Sequence, residues 1–113
     1  MPPLTVMTPR KLYKIWRQIN RAYFGGLLRK PRIFLADQLL VDGDTCEAIF
    51  FTTEARSKIG LLHPSRDTTM GRMIHEMIHQ YQCEILKVEP DHDVTFTVIA
   101  GRFLPAYSLE DIL

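Results

Sequence analysis

Apolar positions recur along this chain with two different periods, and the switches between them divide it into elements. Leu12, Ile15, Trp16, Ile19 and Tyr23 repeat at helical spacing. Thr8 and Pro9 supply a cap and a first helical residue, and Gly25-Gly26 supplies a stop, so the spacing predicts a helix from about Pro9 to Phe24. Lys30 to Ala36 (KPRIFLA) reads as a first strand entered by a proline. Asp42-Gly43-Asp44 marks a turn, Cys46 to Thr52 a second strand, and Ser57 to Leu62 a third that His63-Pro64 stops. The longest helical pattern runs from Thr69 to Leu86, capped by Ser65 or Asp67 and limited by Pro90. Asp91 caps a last helix from about His92 to Phe103, closed by Pro105. A helix, a small three-stranded sheet and two further helices predict an α+β domain.

Length and composition narrow the class. A chain of 113 residues, 46% apolar and 24% charged, suits one soluble domain over residues 1–113 with a single core. No apolar run is long enough to span a bilayer, and MPPLTVM lacks the basic and apolar regions of a secretory leader. The expected place is inside the cell, cytoplasmic or, in a eukaryote, nuclear, with no membrane partner. Cys46 and Cys83 have no C-x-x-C spacing and read as reduced thiols.

The net charge of +1 conceals a sharp division. Residues 1–32 carry 8 basic side chains and no acid, while the remainder carries 6 basic and 13 acidic ones. Arg10, Lys14, Arg17 and Arg21 form a row on one side of the first helix. Two readings stand: a solvated face, or a stripe that tracks the phosphates of DNA and releases them as salt rises.

The candidate chemistry lies in His75-Glu76-Met77-Ile78-His79. On a helix the two histidines are roughly 40° apart in azimuth and about 6 Å along the axis, close enough to share one metal ion. Glu76 falls roughly 100° round from His75, beside the ligands without stacking on them, where a general base belongs. The opposite arc collects Met70, Ile74, Met77, Ile78, Tyr81 and Ile85 as a core side. A catalytic zinc takes three protein ligands and keeps one position open. The third ligand has to come from another element: His92 if the chain folds back after Pro90, with Asp91, Asp93 and His63 as alternatives. Glu84 points away from the pair, and Cys83 lies too far along the axis. An all-imidazole set with one open position suits Zn2+ as a single catalytic ion. For the oxyanion, Tyr107, Tyr81 and Arg72 are candidates.

Together with HEMIHQYQ, the stretch IWRQINRAYFGGLLRKPRIFLA, with Asn20, Tyr23-Phe24, a leucine, a proline and a strand in order, resembles the SprT-like family of zinc metallopeptidases. That family includes the Spartan proteases, which act on DNA–protein crosslinks. His92 with Phe96 four residues on is similar to the segment carrying the family's third histidine, so the likeness spans roughly Leu12 to Phe103. It implies a zincin-like fold, His75, His79 and His92 as zinc ligands, and Glu76 as the catalytic acid/base. Two departures are visible: no cysteine-rich zinc ribbon stands before Leu113, and Asp93 occupies a position where the family often has glycine.

The expected function is zinc-dependent endopeptidase action on protein or peptide substrates, DNA-associated or crosslinked proteins among them, through zinc-activated water with Glu76 as base. The rival is a non-proteolytic zinc-containing module that binds nucleic acid or protein. A third reading is metal-dependent hydrolysis of RNA or another ester.

Overall fold

In a computed structural model the described residues are 8–54, 56–63 and 68–113. They form an α+β domain in the order α1 (Pro9–Phe24), β1 (Arg32–Ala36), β2 (Leu40–Val41), β3 (Asp44–Thr45), β4 (Ala48–Thr53), β5 (Arg56–Leu62), α2 (Thr69–Glu84), α3 (Val94–Gly101) and α4 (Leu109–Ile112). Ser65, Asp67 and Pro64, expected to cap α2 and to end the third strand, lie outside the described residues.

Local signals set the bounds of α1. The Thr8 hydroxyl accepts from the Lys11 amide at 3.2 Å, and Pro9 follows as the first helical residue. At the other end Gly25 turns left-handed at φ 62°. Leu12, Trp16, Ile19 and Phe24 go into the core, while the Asn20 side chain donates to and accepts from the Leu28 main chain at 3.1 Å, fixing the loop to β1.

The sheet has the order β1-β5-β4, with β1 parallel and β4 antiparallel to the central β5. Ile59 and Leu61 of β5 are fully buried. Gly60 between them pairs with Phe34, whose ring occupies the space a Cβ would need: its Cζ lies 2.5 Å from that position. The expected three strands are present, with a correction beside them. The Asp42-Gly43 turn closes a separate ribbon of β2 and β3, with φ of 52° and 85° at the two turn residues. Two consecutive positive φ values match the twist of a tight hairpin.

α2 is the central element, packed on β4 and β5 on one side and on α3 and α4 on the other. Met73, Ile74, Met77 and Ile78 are fully buried. Each such side chain contributes about 1.5–3 kcal/mol of hydrophobic stabilisation. A buried polar network ties α2 to the rest. Gln80 accepts from the Trp16 indole at 3.3 Å and donates to the Arg29 carbonyl at 2.7 Å, while Glu84 accepts from the Arg29 amide and the Ser57 hydroxyl at 2.8 and 2.6 Å.

α2 ends at Glu84, before Pro90 as expected and just short of Leu86, and Lys87 takes a left-handed φ of 59° in the turn that follows. Beyond this turn the chain departs from expectation. α3 is shorter than predicted and is capped by Asp93, whose carboxylate accepts from the Phe96 amide at 3.0 Å. Asp91 does not cap it, because its main chain is gripped on both sides by the Gln82 amide. The tail forms α4, with Ile112 fully buried. No helix among the described residues is long and apolar enough to cross a membrane.

Candidate metal centre

His75 and His79 stand one turn apart on α2, and His92 reaches them from the loop two residues ahead of α3, not from the helix itself. Their Nε2 atoms form a triangle with sides of 3.2 Å (His75 to His79), 3.0 Å (His79 to His92) and 3.0 Å (His75 to His92). Two nitrogens sharing a tetrahedral ion at about 2.0–2.1 Å are about 3.3 Å apart, so the triangle needs only a few tenths of an ångström of widening.

The other ring nitrogens decide what those three atoms present to one another. His75 Nδ1 lies 2.6 Å from the Ile112 carbonyl oxygen, which can only accept, so Nδ1 carries the proton and Nε2 a lone pair. His79 Nδ1 faces the Gln82 side-chain oxygen at 2.9 Å. The orientation of that amide is set by its nitrogen donating to the Asp91 carbonyl and its oxygen accepting from the Asp91 amide, at 2.8 and 3.1 Å. His79 Nε2 is therefore also an acceptor. Two lone pairs at 3.2 Å repel unless a cation sits between them, and a third imidazole nitrogen stands 3.0 Å from each. The donor set fits a metal ion.

Burial tunes these groups in the direction metal binding needs. Desolvation, the largest cause, lowers the His75 pKa to about 4; the Ile112 hydrogen bond opposes it, and the His79, Arg72 and His92 charges add to it. His79 is lowered too, by burial first. Neutral rings need not shed a proton to bind a cation. Phe96, 1% exposed, supplies a common apolar wall, its ring centroid 4.8, 5.0 and 5.1 Å from those of His75, His79 and His92.

Glu76 is adjacent to the triangle but outside it. Its Oε2 lies 4.0 Å from His75 Nε2, and the carboxylate is not among the groups that converge. At 6% exposure its pKa is pushed up to about 7 by desolvation, with the Arg72 charge pulling the other way. A carboxyl poised near neutrality both takes and returns a proton with little driving force lost. Its charge also helps raise the Cys46 thiol, after burial, which puts the start of β4 within electrostatic reach of Glu76.

Of the other candidates, the structure brings in Arg72 and not the tyrosines. The Arg72 guanidinium donates to the Asp111 carbonyl from two nitrogens, Nε at 2.9 Å, and its charge acts on both His75 and Glu76. Tyr107 packs edge-on to Tyr23 and Phe103, and Tyr81 tilts against Phe24, both half-buried against the core. Asp91 and Asp93 serve the turn and the cap, and His63 follows β5, its amide donating to the Ala36 carbonyl at 2.8 Å, and is not among the groups that converge. Arg10, Lys14, Arg17 and Arg21 are exposed on α1. Three contributors carried no clear sequence signal: Gln82, the Ile112 carbonyl and Phe96 as a wall. Only Gln82, three residues beyond His79, stood at a spacing that could have drawn notice.

Comparison of the chain with family models, with curated proteins and with solved structures returned no match.

Proposed function

We propose that this chain is a zinc-dependent metalloendopeptidase of the SprT-like type, zincin-like in fold. The observation that carries the reading is the convergence of three imidazole Nε2 atoms within 3.2 Å, two with their lone pairs fixed inward, beside a buried carboxyl with a pKa near 7. Zinc is the ion of choice because it favours neutral imidazole donors and a tetrahedral set with one position left open.

A bound zinc ion supplies the positive charge that polarises a peptide carbonyl and makes water acidic enough to attack it near neutral pH. Glu76 takes the proton from the attacking water and delivers it to the departing amine nitrogen. Arg72 keeps the buried Glu76 ionisable by offsetting part of its desolvation. β4, the outer antiparallel strand against α2, has no further strand beside it among the described residues, and an extended polypeptide can lie along that edge as an added strand. Unfolded or flexible segments are therefore the substrates favoured.

The test pairs wild type with Glu76→Gln on an unfolded protein such as casein, with zinc content measured by atomic spectroscopy. Wild type should cleave and hold one zinc per chain, and Glu76→Gln should hold zinc yet lose cleavage by at least about 100-fold. Equal cleavage by the two proteins, or none by zinc-loaded wild type, overturns the proposal.

A further inference from the structure

The metal centre leaves one large charged feature of the molecule without a role. Arg10, Lys11, Lys14 and Arg17 of α1, joined by Lys30 from the loop before β1, line a groove of about 910 Å³. Lys14 and Arg17 also border a second hollow of about 450 Å³ that ends at Arg21. The two hollows share side chains, so the basic surface is continuous along the helix. From Arg10 to Arg21 it is about 16 Å long.

This surface is not neutralised from within. Residues 1–32 contain no acid, and among the described residues none of these six cations lies within 4.0 Å of a carboxylate. All six are exposed. A row of like charges held on one rigid helix repels itself, and an external polyanion relieves that repulsion. Lys30 is held in place: its ammonium sits 4.8 Å over the Tyr13 ring, and the Tyr13 hydroxyl is pinned by donating to the Pro31 carbonyl at 2.7 Å and accepting from the Ile33 amide at 2.9 Å.

We infer that this groove binds the phosphate backbone of double-stranded nucleic acid without regard to sequence. At about 3.4 Å of rise per phosphate on one strand, the row lies alongside four or five phosphates. Single strands are held chiefly by bases stacking on exposed aromatic rings, and this face offers little for that: Trp16 is buried, and the half-buried Tyr13 in the groove already has the Lys30 ammonium over its ring at 4.8 Å. An anionic membrane is disfavoured for a related reason. An interfacial helix inserts its apolar face, whereas Leu12, Trp16, Ile19 and Phe24 are already spent on the core, and none of the exposed large apolar side chains lines the groove.

The inference goes beyond the peptidase reading and does not depend on the metal. It is tested by fluorescence anisotropy with a labelled 20-base-pair DNA duplex, about 20 pairs being ample for one helix, titrated from 50 to 200 mM NaCl. Wild type and Glu76→Gln should bind alike, with a dissociation constant of about 1 μM at the lowest salt and a log–log salt slope between about −3 and −5. Replacing Arg10, Lys14, Arg17 and Arg21 together by Gln should weaken binding at least tenfold and flatten the slope by about three, with an unchanged circular dichroism spectrum. A control carrying Arg56→Gln, Lys87→Gln and Arg102→Gln, all off α1, should bind within about threefold of wild type. Absence of binding at 50 mM salt, equal loss in the control, or tighter binding to phosphatidylserine vesicles or to a single strand of equal length overturns the inference.

Discussion

The imidazole of His75 donates its Nδ1 proton to the main-chain carbonyl of Ile112, 37 residues further along the chain, at 2.6 Å. This bond selects the tautomer that leaves Nε2 free, so α4 orients a candidate metal ligand it does not itself provide. What brings α4 so close is Gly71, one helical turn before His75. A Cβ at Gly71 would stand 2.7 Å from both the carbonyl carbon and the oxygen of Asp111. Gly71→Ala should therefore destabilise the fold by about 1–3 kcal/mol despite the better helix propensity of alanine. It should also weaken zinc binding by about 10-fold or more, as displacement of an orienting partner does. Thermal unfolding and competition with a zinc chelator measure the two effects, and an alanine variant as stable as wild type would show that α4 does not pack so tightly.

His79 depends on Gln82 in the same way, with an added consequence. The Gln82 amide orients His79 through one oxygen and also clamps the main chain of Asp91, the residue before the third histidine. Gln82→Leu removes both functions while keeping the side-chain volume, so it should lower zinc affinity by about 10- to 100-fold. Gln82→Glu keeps the acceptor for His79 and for the Asp91 amide but loses the donor to the Asp91 carbonyl. Its loss should be smaller, and equal losses for the two variants would argue against a role in fixing the tautomer.

These two ligand orientations also mark where sequence reading stops. The bounds of α1 are legible because Thr8, Pro9 and Gly25 are local signals acting within one turn. The approach of His75 to His79 is legible because helical geometry alone sets it. His92 needed only the turn between α2 and α3, and the structure brings it to the pair as expected. The parallel pairing of β1 with β5 is not legible, since alternation along a strand does not say which neighbour it has. Nor is the β2–β3 ribbon, whose exposed Leu40-Val41 and Asp44-Thr45 carry no burial pattern. Asp91 and Asp93 are equal as cap residues in the sequence, and only the long-range clamp by Gln82 decides between them. The Ile112 carbonyl is the extreme case, because a main-chain oxygen has no residue-type signature at all.

Glu76 makes the metal-free protein sensitive to alkali. Its folded pKa of about 7 stands above the ordinary value of 4.5, so its contribution to stability is fully present below pH 4.5 and is lost as pH rises through 7, where the fold must bury a charge. His75 has the opposite sign: with a folded pKa of about 4 against 6.5, its contribution is present above pH 6.5 and lost as pH falls through 4. Between pH 4.5 and 6.5 the two slopes cancel, and above that window the Glu76 term stands alone. In the presence of a chelator at pH 8, Glu76→Gln should be more stable than wild type, by on the order of 2 kcal/mol. The difference should shrink towards pH 5. Denaturant midpoints at the two pH values check it, and a Gln variant no more stable than wild type at pH 8 removes the buried charge as a source of strain.

The edge of β4 offers a separate test of how substrate is held. The Leu62 amide donates to the Glu47 carbonyl, and the β4–β5 register then directs the amides of Ile49, Phe51 and Thr53 inward to β5 and those of Phe50 and Thr52 outward. Proline is tolerated on an edge strand where the missing amide faces away from the ladder, so Thr52→Pro should leave the β4–β5 pairing intact. It removes one donor that an added substrate strand would use, an interaction of about 1 kcal/mol, and its ring crowds the approach to that edge. The expected result is a fall of about 10-fold in kcat/KM on an unfolded protein, with zinc content and thermal midpoint close to wild type. Phe51→Pro is the counterpart: its amide belongs to the β4–β5 ladder, so that variant should lose stability. If Thr52→Pro cleaves as well as wild type, substrate does not lie along β4, and the extended groups that reach Glu76 come in from another side.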